Sequence, residues 1–246
     1  MSLTVGSLFS GIGGLDLGLE RAGMTVRWQS EIDPYASRVL AKHWPDVPNH
    51  GDITTIDWST IEPVDLICGG FPCQDISPGG KRVGISGERS GLWSEFVRAL
   101  RCVRPRYAIV ENSGDLTVRG LDVVLGDLCE LGFDAEWSVV SACSMGAPHR
   151  RRRLFVVAYC PGVDEPNEVP HHPLSDRQHP DWQGQPRGGC GDEGRQQRWL
   201  SEPALDRVAH GVPARVVGPQ LRALGNAVVP QVAEFVGRQL LDHLAV

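Results

Sequence analysis

Short apolar runs alternate with helix-like periodicity along the first 160 residues of this 246-residue chain. Apolar runs that stop at polar or glycine turns predict buried strands, and apolar positions three or four residues apart predict helices. Strands are expected at 4–9, 24–29, 65–68, 107–110, 137–140 and 154–158, with helices after the first glycine turn, from Pro34, and at 92–103 and 121–131. This order predicts an α/β fold with a mainly parallel sheet and helices on both faces. The last two strands favour an antiparallel pair at the edge, because no clear helix separates them.

The regular pattern of apolar and polar positions ends after Cys160 and returns near the C-terminus. Residues 161–219 are rich in glycine and proline and poor in aromatic side chains, so they cannot bury a large core and are expected to form a small, loop-rich insert. Apolar residues then fall on one helical face again between Val228 and Leu244. We therefore predict a main domain over 1–160, an insert over 161–219 and a C-terminal helix over 220–246 that completes the main domain.

Composition narrows the class of protein. No apolar stretch approaches the roughly 18 residues that a membrane span needs, and the first residues lack the pattern of a secretory signal. The expectation is a cytoplasmic protein. Its net charge is −6, but Arg150 to Arg153 form an unbroken basic run. Local charge decides whether a polyanion docks, so this run is a candidate phosphate contact, or else a solvated edge.

Seven cysteines, an odd number without a close CxxC pair, argue against a disulfide framework and a zinc finger. No metal is expected, since the spacing of the later histidines and cysteine fits no standard zinc pattern (His171, His172, His179 and Cys190). Buried structural roles are expected for Cys68, Cys102, Cys129 and Cys143.

A glycine-rich turn, Phe9 to Gly14, joins the first strand to the first helix. Such a turn lets the backbone approach a nucleoside closely. A dinucleotide fingerprint needs a third glycine where Asp16 stands, so hydride transfer loses its main support. Glu31, at the end of the second strand, suits ribose hydroxyls, and Asp52, expected at the end of a third strand, suits an exocyclic amine. Each is also consistent with a surface acid, but together they predict a pocket for an adenosine-containing cofactor.

Two further motifs follow predicted strands. Cys73 comes directly after Pro72, so a stiff turn would point its thiol into the crevice at the carboxyl ends of the strands. The alternative for this residue is a buried structural cysteine. A glycine-rich stretch over 79–91 then suits a mobile lid. Glu111, Asn112 and Ser113 are expected just beyond the fourth strand, which would bring a carboxyl to the same crevice.

Five motifs in this order, SLFSGIGGLDLGLE, GGFPCQDIS, ENS, GAPHRRRR and LGNAVVPQVA, resemble those of the cytosine-C5 DNA methyltransferases. The resemblance covers residues 1–158 and 220–246. It implies a Rossmann-like sheet that uses S-adenosylmethionine, with residues 161–219 as a reduced target-recognition insert. The implied partner is double-stranded DNA.

The resemblance also implies a reaction on a cytosine flipped out of the duplex. Cys73 would attack C6, and Glu111 would protonate or hydrogen-bond N3 and the amino group. Arg153 resembles the arginine that contacts O2 and orients the glutamate, and Arg151 the one beside the sugar-phosphate. The residues implied in DNA binding are Gln74, Ser77, Arg150 and Arg151.

For the cofactor, the resemblance implies that Phe9 stacks on adenine, Glu31 binds ribose and Asp52 reads the adenine amine. Other residues matching the cofactor pocket are Gly11, Gly13, Gly14, Ile32, Ile53, Pro72, Leu92, Asn226 and Ala227. Asn226 also suits a helix N-cap.

The chain departs from the family pattern at several places. Ser113 follows Glu111–Asn112 where valine is commoner, and His149 stands where glutamine is usual. The motif before the final helix is faint, with Arg215 or Arg222 as candidates. The insert is short, so it either reads a short or degenerate target or needs a partner. A monomer is the default expectation, and membership of a restriction-modification system, phage protection and an independent role stay open.

Two other functions stay open. One is an RNA cytosine-C5 methyltransferase, although the Cys–Phe–Thr signature of that branch is absent. The other is a non-catalytic DNA-binding regulator that keeps the cofactor pocket.

Overall fold

One mixed sheet organises the chain in this computed structural model, which describes residues 2–72, 91–160 and 214–244. Its strand order is β2-β1-β3-β4-β6-β5. The strands are β1 (Thr4–Leu8), β2 (Thr25–Ser30), β3 (Leu66–Gly69), β4 (Tyr107–Ser113), β5 (Asp134–Ser141) and β6 (Arg152–Tyr159). The first four strands run parallel, whereas β6 is antiparallel to both β4 and β5. The predicted parallel sheet and antiparallel edge pair are confirmed.

The helices are α1 (Gly14–Arg21), α2 (Pro34–His43), α3 (Gly91–Val103), α4 (Leu121–Glu130), α5 (Ala214–Asn226) and α6 (Pro230–His243). Residues 220–246 therefore do not form one continuous helix, but α6 matches the helical face predicted between Val228 and Leu244. Pro230 opens α6 and holds Val229 in an extended conformation, which separates α6 from α5. The N-cap expected at Asn226 is also wrong, since Asn226 ends α5 and Val229 is the N-cap of α6.

Alternating side chains of the strands supply two apolar layers. On β3, Leu66 and Cys68 pack in the layer beneath α1 and α6, while Ile67 packs in the layer beneath α3 and α4. The sheet is therefore covered on both faces, as predicted. In the first layer, Gly18 of α1 lies so close to α6 that a Cβ there would be 2.4 Å from the Cβ of Ala233. The last helix thus packs on the sheet built by the first 160 residues.

Burial differs among the cysteines expected to be structural. Cys68 is fully buried in the sheet, but Cys102 and Cys129 are exposed. That part of the prediction is wrong, because both residues lie on the outer faces of α3 and α4, away from the sheet. No helix in the described ranges has the length and apolar character to cross a membrane.

Candidate active site

A cleft of about 600 Å³ opens at the carboxyl ends of the parallel strands. This is the edge where parallel α/β sheets bind their ligands. The cleft brings together Phe9, Gly11, Gly14, Glu31, Ile32, Asp52, Ile53, Pro72, Leu92, Glu111, Arg153, Asn226 and Ala227. Gly13 instead sits against Trp44, where a Cβ would lie 2.4 Å from the indole ring.

The glycine turn supplies one wall of the cleft. Phe9, Gly11 and Gly13 have φ values of 52°, 57° and 80°, a left-handed conformation that strains a side chain such as that of Phe9. The turn aims the Gly11 N–H at Glu31, to which it donates over 2.7 Å. The Asp33 N–H donates to the other carboxylate oxygen of Glu31, also over 2.7 Å. Glu31 is thus held by backbone donors on both sides.

Asp52 lies in the cleft wall, but the strand predicted before it is wrong. Only an isolated β-bridge between Gln29 and Asn49 forms there, and Gly51 turns the chain away with a φ of 72°. Asp52 caps a short 3-10 turn, accepting from the Thr54 N–H and hydroxyl. These hydrogen bonds lower the pKa of Asp52, so its carboxylate is charged at neutral pH.

Glu111 lies within β4 and not beyond it, because the ladder with β6 continues to Ser113. Glu111 is buried, with 7% of the residue exposed. Burial raises the pKa of Glu111 from its ordinary 4.5 to about 7, despite the opposing influence of Arg153 and Arg151. Gly70 makes room for this carboxyl, since a Cβ at Gly70 would lie 2.6 Å from Glu111 Oε2.

Asn112 fixes the segment that leads from β3 into the Pro–Cys motif. Its Nδ2 donates to the Phe71 carbonyl over 3.1 Å, and the ring of Phe71 packs on Trp93 with centroids 5.2 Å apart. Pro72, the next residue, lines the cleft. The residues that follow, including the predicted Cys73, Gln74, Ser77 and the glycine-rich lid as far as residue 90, lie outside the described residues. The three later histidines and the cysteine considered for zinc lie outside them as well.

The arginine run splits into different environments. Arg150 and Arg152 are exposed, as is His149 before them. Arg153 turns inward, with its Nε 3.0 Å from Glu111 Oε1. Arg151 is half-buried and donates from Nη2 to the carbonyls of Gly225 and Ala227, at 2.8 and 2.5 Å. Desolvation is the main influence lowering the pKa of Arg151. Its contact therefore holds the end of α5.

Sequence reasoning missed part of the wall formed by α5. Pro219 and Ala223 line the cleft together with Arg222, one of the two arginine candidates; the side chain of Arg215 is not among those described. Positions 219, 222, 223 and 226 lie on one helical face, because they are spaced three or four residues apart. This spacing is visible in the sequence, but the predicted boundary between the insert and the C-terminal helix, at 220, divided the set. Among the residues the structure describes, no group of three or more potential metal ligands occurs.

The family of the chain follows from sequence comparison. A family model for the C-5 cytosine-specific DNA methylases matches residues 3–198. This chain belongs to that family.

Curated relatives include two bacterial enzymes. The Type II methyltransferase M2.BsuMI of Bacillus subtilis is 34% identical over 192 residues, which are 75% of this chain and 48% of the relative. The Type II methyltransferase M.NgoBI of Neisseria gonorrhoeae is 35% identical over 160 residues, which are 63% and 50% of the two chains. The chain thus spans about half the length of these relatives.

Solved structures share the fold. A prophage-encoded E. coli chain, described as a DNA modification methyltransferase, has a TM-score of 0.52 at 28% identity, with 65% of this chain and 47% of that chain covered. The S. pombe Dnmt2 methyltransferase has a TM-score of 0.56 at 22% identity, with 68% of this chain and 53% of that chain covered. At this identity, the similarity shows the fold alone.

Proposed function

We propose that the protein is a DNA (cytosine-5-)-methyltransferase that uses S-adenosylmethionine and acts on a cytosine flipped out of duplex DNA. The observation that carries this proposal is the buried Glu111, whose raised pKa of about 7 lets it hold a proton at neutral pH. Arg153 lies beside it in the same cleft as the candidate cofactor residues. Membership of the cytosine-specific family supports the choice of base.

The residues of the cleft fit an adenosine-containing cofactor. The oxygens of Glu31 each accept one backbone N–H, so each keeps a lone pair for a ribose hydroxyl. Ile32 is 68% exposed beside it, an apolar surface that a flat base would cover. The charged Asp52 suits the amino group of adenine. When bound, S-adenosylmethionine would supply an electrophilic methyl group on its sulfonium.

The proposed chemistry overcomes the poor nucleophilicity of cytosine C5. The Cys73 thiolate attacks C6 while Glu111 gives its proton to N3, and C5 becomes an enamine-like carbon able to accept the methyl group. Arg153 contacts O2 and keeps Glu111 oriented. A base then takes the C5 proton, the Cys73 thiolate leaves C6 as the C5–C6 double bond forms again, and the N3 proton returns to Glu111, which restores the aromatic ring.

Target binding is proposed to use the basic run from Arg150 to Arg153 and the insert. Arg150 is exposed next to the cleft and suits a DNA phosphate. Residues 161–219 are proposed to recognise the target, alone or with a partner. The names of the Type II relatives support a role in restriction-modification.

The experiment is methylation of mixed-sequence duplex DNA by the purified chain, with 5-methylcytosine mapped at single-base resolution. Methylation in one sequence context is expected. Glu111→Gln should abolish it, while Glu130→Gln, a matched change at an exposed glutamate, should not. Absence of product with intact cofactor binding would overturn the proposal.

Two further arms separate the alternatives. Duplex DNA containing 5-fluorocytosine should trap a denaturant-resistant adduct with the wild type and none with Cys73→Ala. A silent DNA-binding regulator forms no adduct with either. Methylation of RNA but not of DNA would instead assign the RNA branch.

A further inference from the structure

Asn49 lies outside the cleft wall but contacts both loops that carry its acidic residues. Its Oδ1 accepts from the N–H of Glu31 at 2.9 Å and of Gly51 at 3.1 Å. Its Nδ2 donates to the Glu31 carbonyl and to the Ser37 hydroxyl, both at 3.1 Å. A primary amide has two donor hydrogens and two acceptor lone pairs, so all four are used.

The backbone of Asn49 is itself fixed to the end of β2. The Gln29 N–H donates to the Pro48 carbonyl at 2.9 Å, and the His50 N–H donates to the Gln29 carbonyl at 2.8 Å. These two bonds form the isolated parallel bridge that places Asn49 beside Gln29. The side-chain amide therefore acts from a fixed platform.

The contacts of Asn49 reach both carboxylates through the backbone. At Glu31, the Asn49 amide bonds to both the N–H and the carbonyl of the backbone. The backbone of Glu31 is therefore fixed, and its carboxylate is directed toward the N–H groups of Gly11 and Asp33. At Gly51, directly before Asp52, the N–H is held by Asn49 and the carbonyl accepts from the Ser30 hydroxyl at 2.8 Å.

We propose that Asn49 is a positioning residue that sets the separation of the Glu31 and Asp52 carboxylates for the ribose and the adenine amine of the cofactor. The proposal rests on the proposed function. Alanine at this position would remove all four side-chain hydrogen bonds and leave both loops free to sample other geometries. Asn49 is exposed, so water replaces the lost partners and the fold is retained.

The first test compares cofactor binding by calorimetry in the wild type and Asn49→Ala. We expect the Kd for S-adenosylmethionine to rise about tenfold, the equivalent of one to two net hydrogen bonds, with kcat at saturating cofactor unchanged. The matched control is Ser59→Ala, which removes a similar exposed contact to Asp57 outside the cleft wall. An unchanged Kd in Asn49→Ala would overturn the inference.

A mutant cycle distinguishes positioning from a general structural effect. If Asn49 acts through the two carboxylates, Asn49→Ala weakens binding less in a Glu31→Ala or Asp52→Ala background than in the wild type. The same fold-change in all backgrounds would contradict this route.

Hydrogen exchange supplies a readout without cofactor. The amides of Glu31 and Gly51 should exchange faster in Asn49→Ala than in the wild type or Ser59→Ala, and equal rates would count against the proposal. A wild type that binds no S-adenosylmethionine would remove the proposed function and this inference together. A wild type that binds it with the same Kd as Asn49→Ala would remove the inference alone.

Discussion

Arg153 reaches Glu111 diagonally across the β4–β6 ladder, with its Nε 3.0 Å from Oε1. The ladder pairs Glu111 with Phe155 and Ser113 with Arg153, so the two side chains lie on the same face, two residues apart. The contact is electrostatic, because Oε1 has no aligned hydrogen-bond donor among the described residues. Burial therefore outweighs the arginine, and the pKa of Glu111 rises to about 7.

Glu111 should make the stability of the protein depend on pH. Its pKa is about 7 when folded against an ordinary 4.5, so the folded state binds the proton more tightly. This favours folding below about pH 4.5, and the benefit is lost as the pH rises through 7. The unfolding free energy of the wild type should fall relative to that of Glu111→Gln by up to about 3 kcal/mol between these limits.

Urea unfolding of the wild type and of Glu111→Gln at pH 5 and pH 8 measures the difference between their unfolding free energies. Using the difference removes the contribution of other ionisable groups, such as the buried Asp16, whose pKa is raised to about 6. Parallel stability profiles for the two proteins would show that burial does not perturb Glu111.

Gly70→Ala should impair catalysis while preserving the fold. The added Cβ would lie 2.6 Å from Glu111 Oε2 and would displace the carboxyl, which is enclosed and cannot move freely. We expect the single-turnover rate of methyl transfer to fall by about 100-fold, the lower range for loss of a proton donor. Gly114→Ala, whose Cβ would meet only Val139 at 3.7 Å, is the control in single-turnover methylation. Equal activity of the two variants would argue against a tight fit at Gly70.

Gly18→Ala should loosen the contact between α1 and α6. Its Cβ would lie 2.4 Å from the Cβ of Ala233 and 2.5 Å from the Pro230 carbonyl oxygen, so the helices must separate. A loss of about 2 kcal/mol in unfolding free energy is expected from such overpacking. Gly126→Ala, inside α4 with nothing within 4 Å, should instead gain up to about 1 kcal/mol. Denaturant unfolding measures both free energies. A change of the same sign in Gly18→Ala and Gly126→Ala would refute the packing argument.

Arg151→Met should weaken cofactor binding because the Gly225 and Ala227 carbonyls lose their donor and the adjoining Asn226 wall loosens. The expected rise in Kd is about tenfold, measured by calorimetry. Arg150→Ala, its neighbour, should leave this Kd unchanged and reduce the salt slope of DNA binding by about 1. The reverse pattern, with cofactor affinity lost only at Arg150, would contradict the assignment.

The chain pattern alone determined the sheet and the edge where the cleft forms. Apolar runs and intervening helices predict parallel strands, and the carboxyl ends of parallel strands meet at one edge. Residues just after the strands are therefore expected at that edge, and the cleft is lined by Phe9, Glu31 and Pro72.

Only the tertiary structure decided the proton affinity of Glu111, the contact of Arg151 with the end of α5 and the fourfold use of the Asn49 amide. These depend on desolvation and on hydrogen bonds between residues from 2 to 76 positions apart. The pattern of apolar and polar positions reports which face of an element is buried. It does not report which polar atoms meet across the fold, because that follows from the packing of the elements against one another.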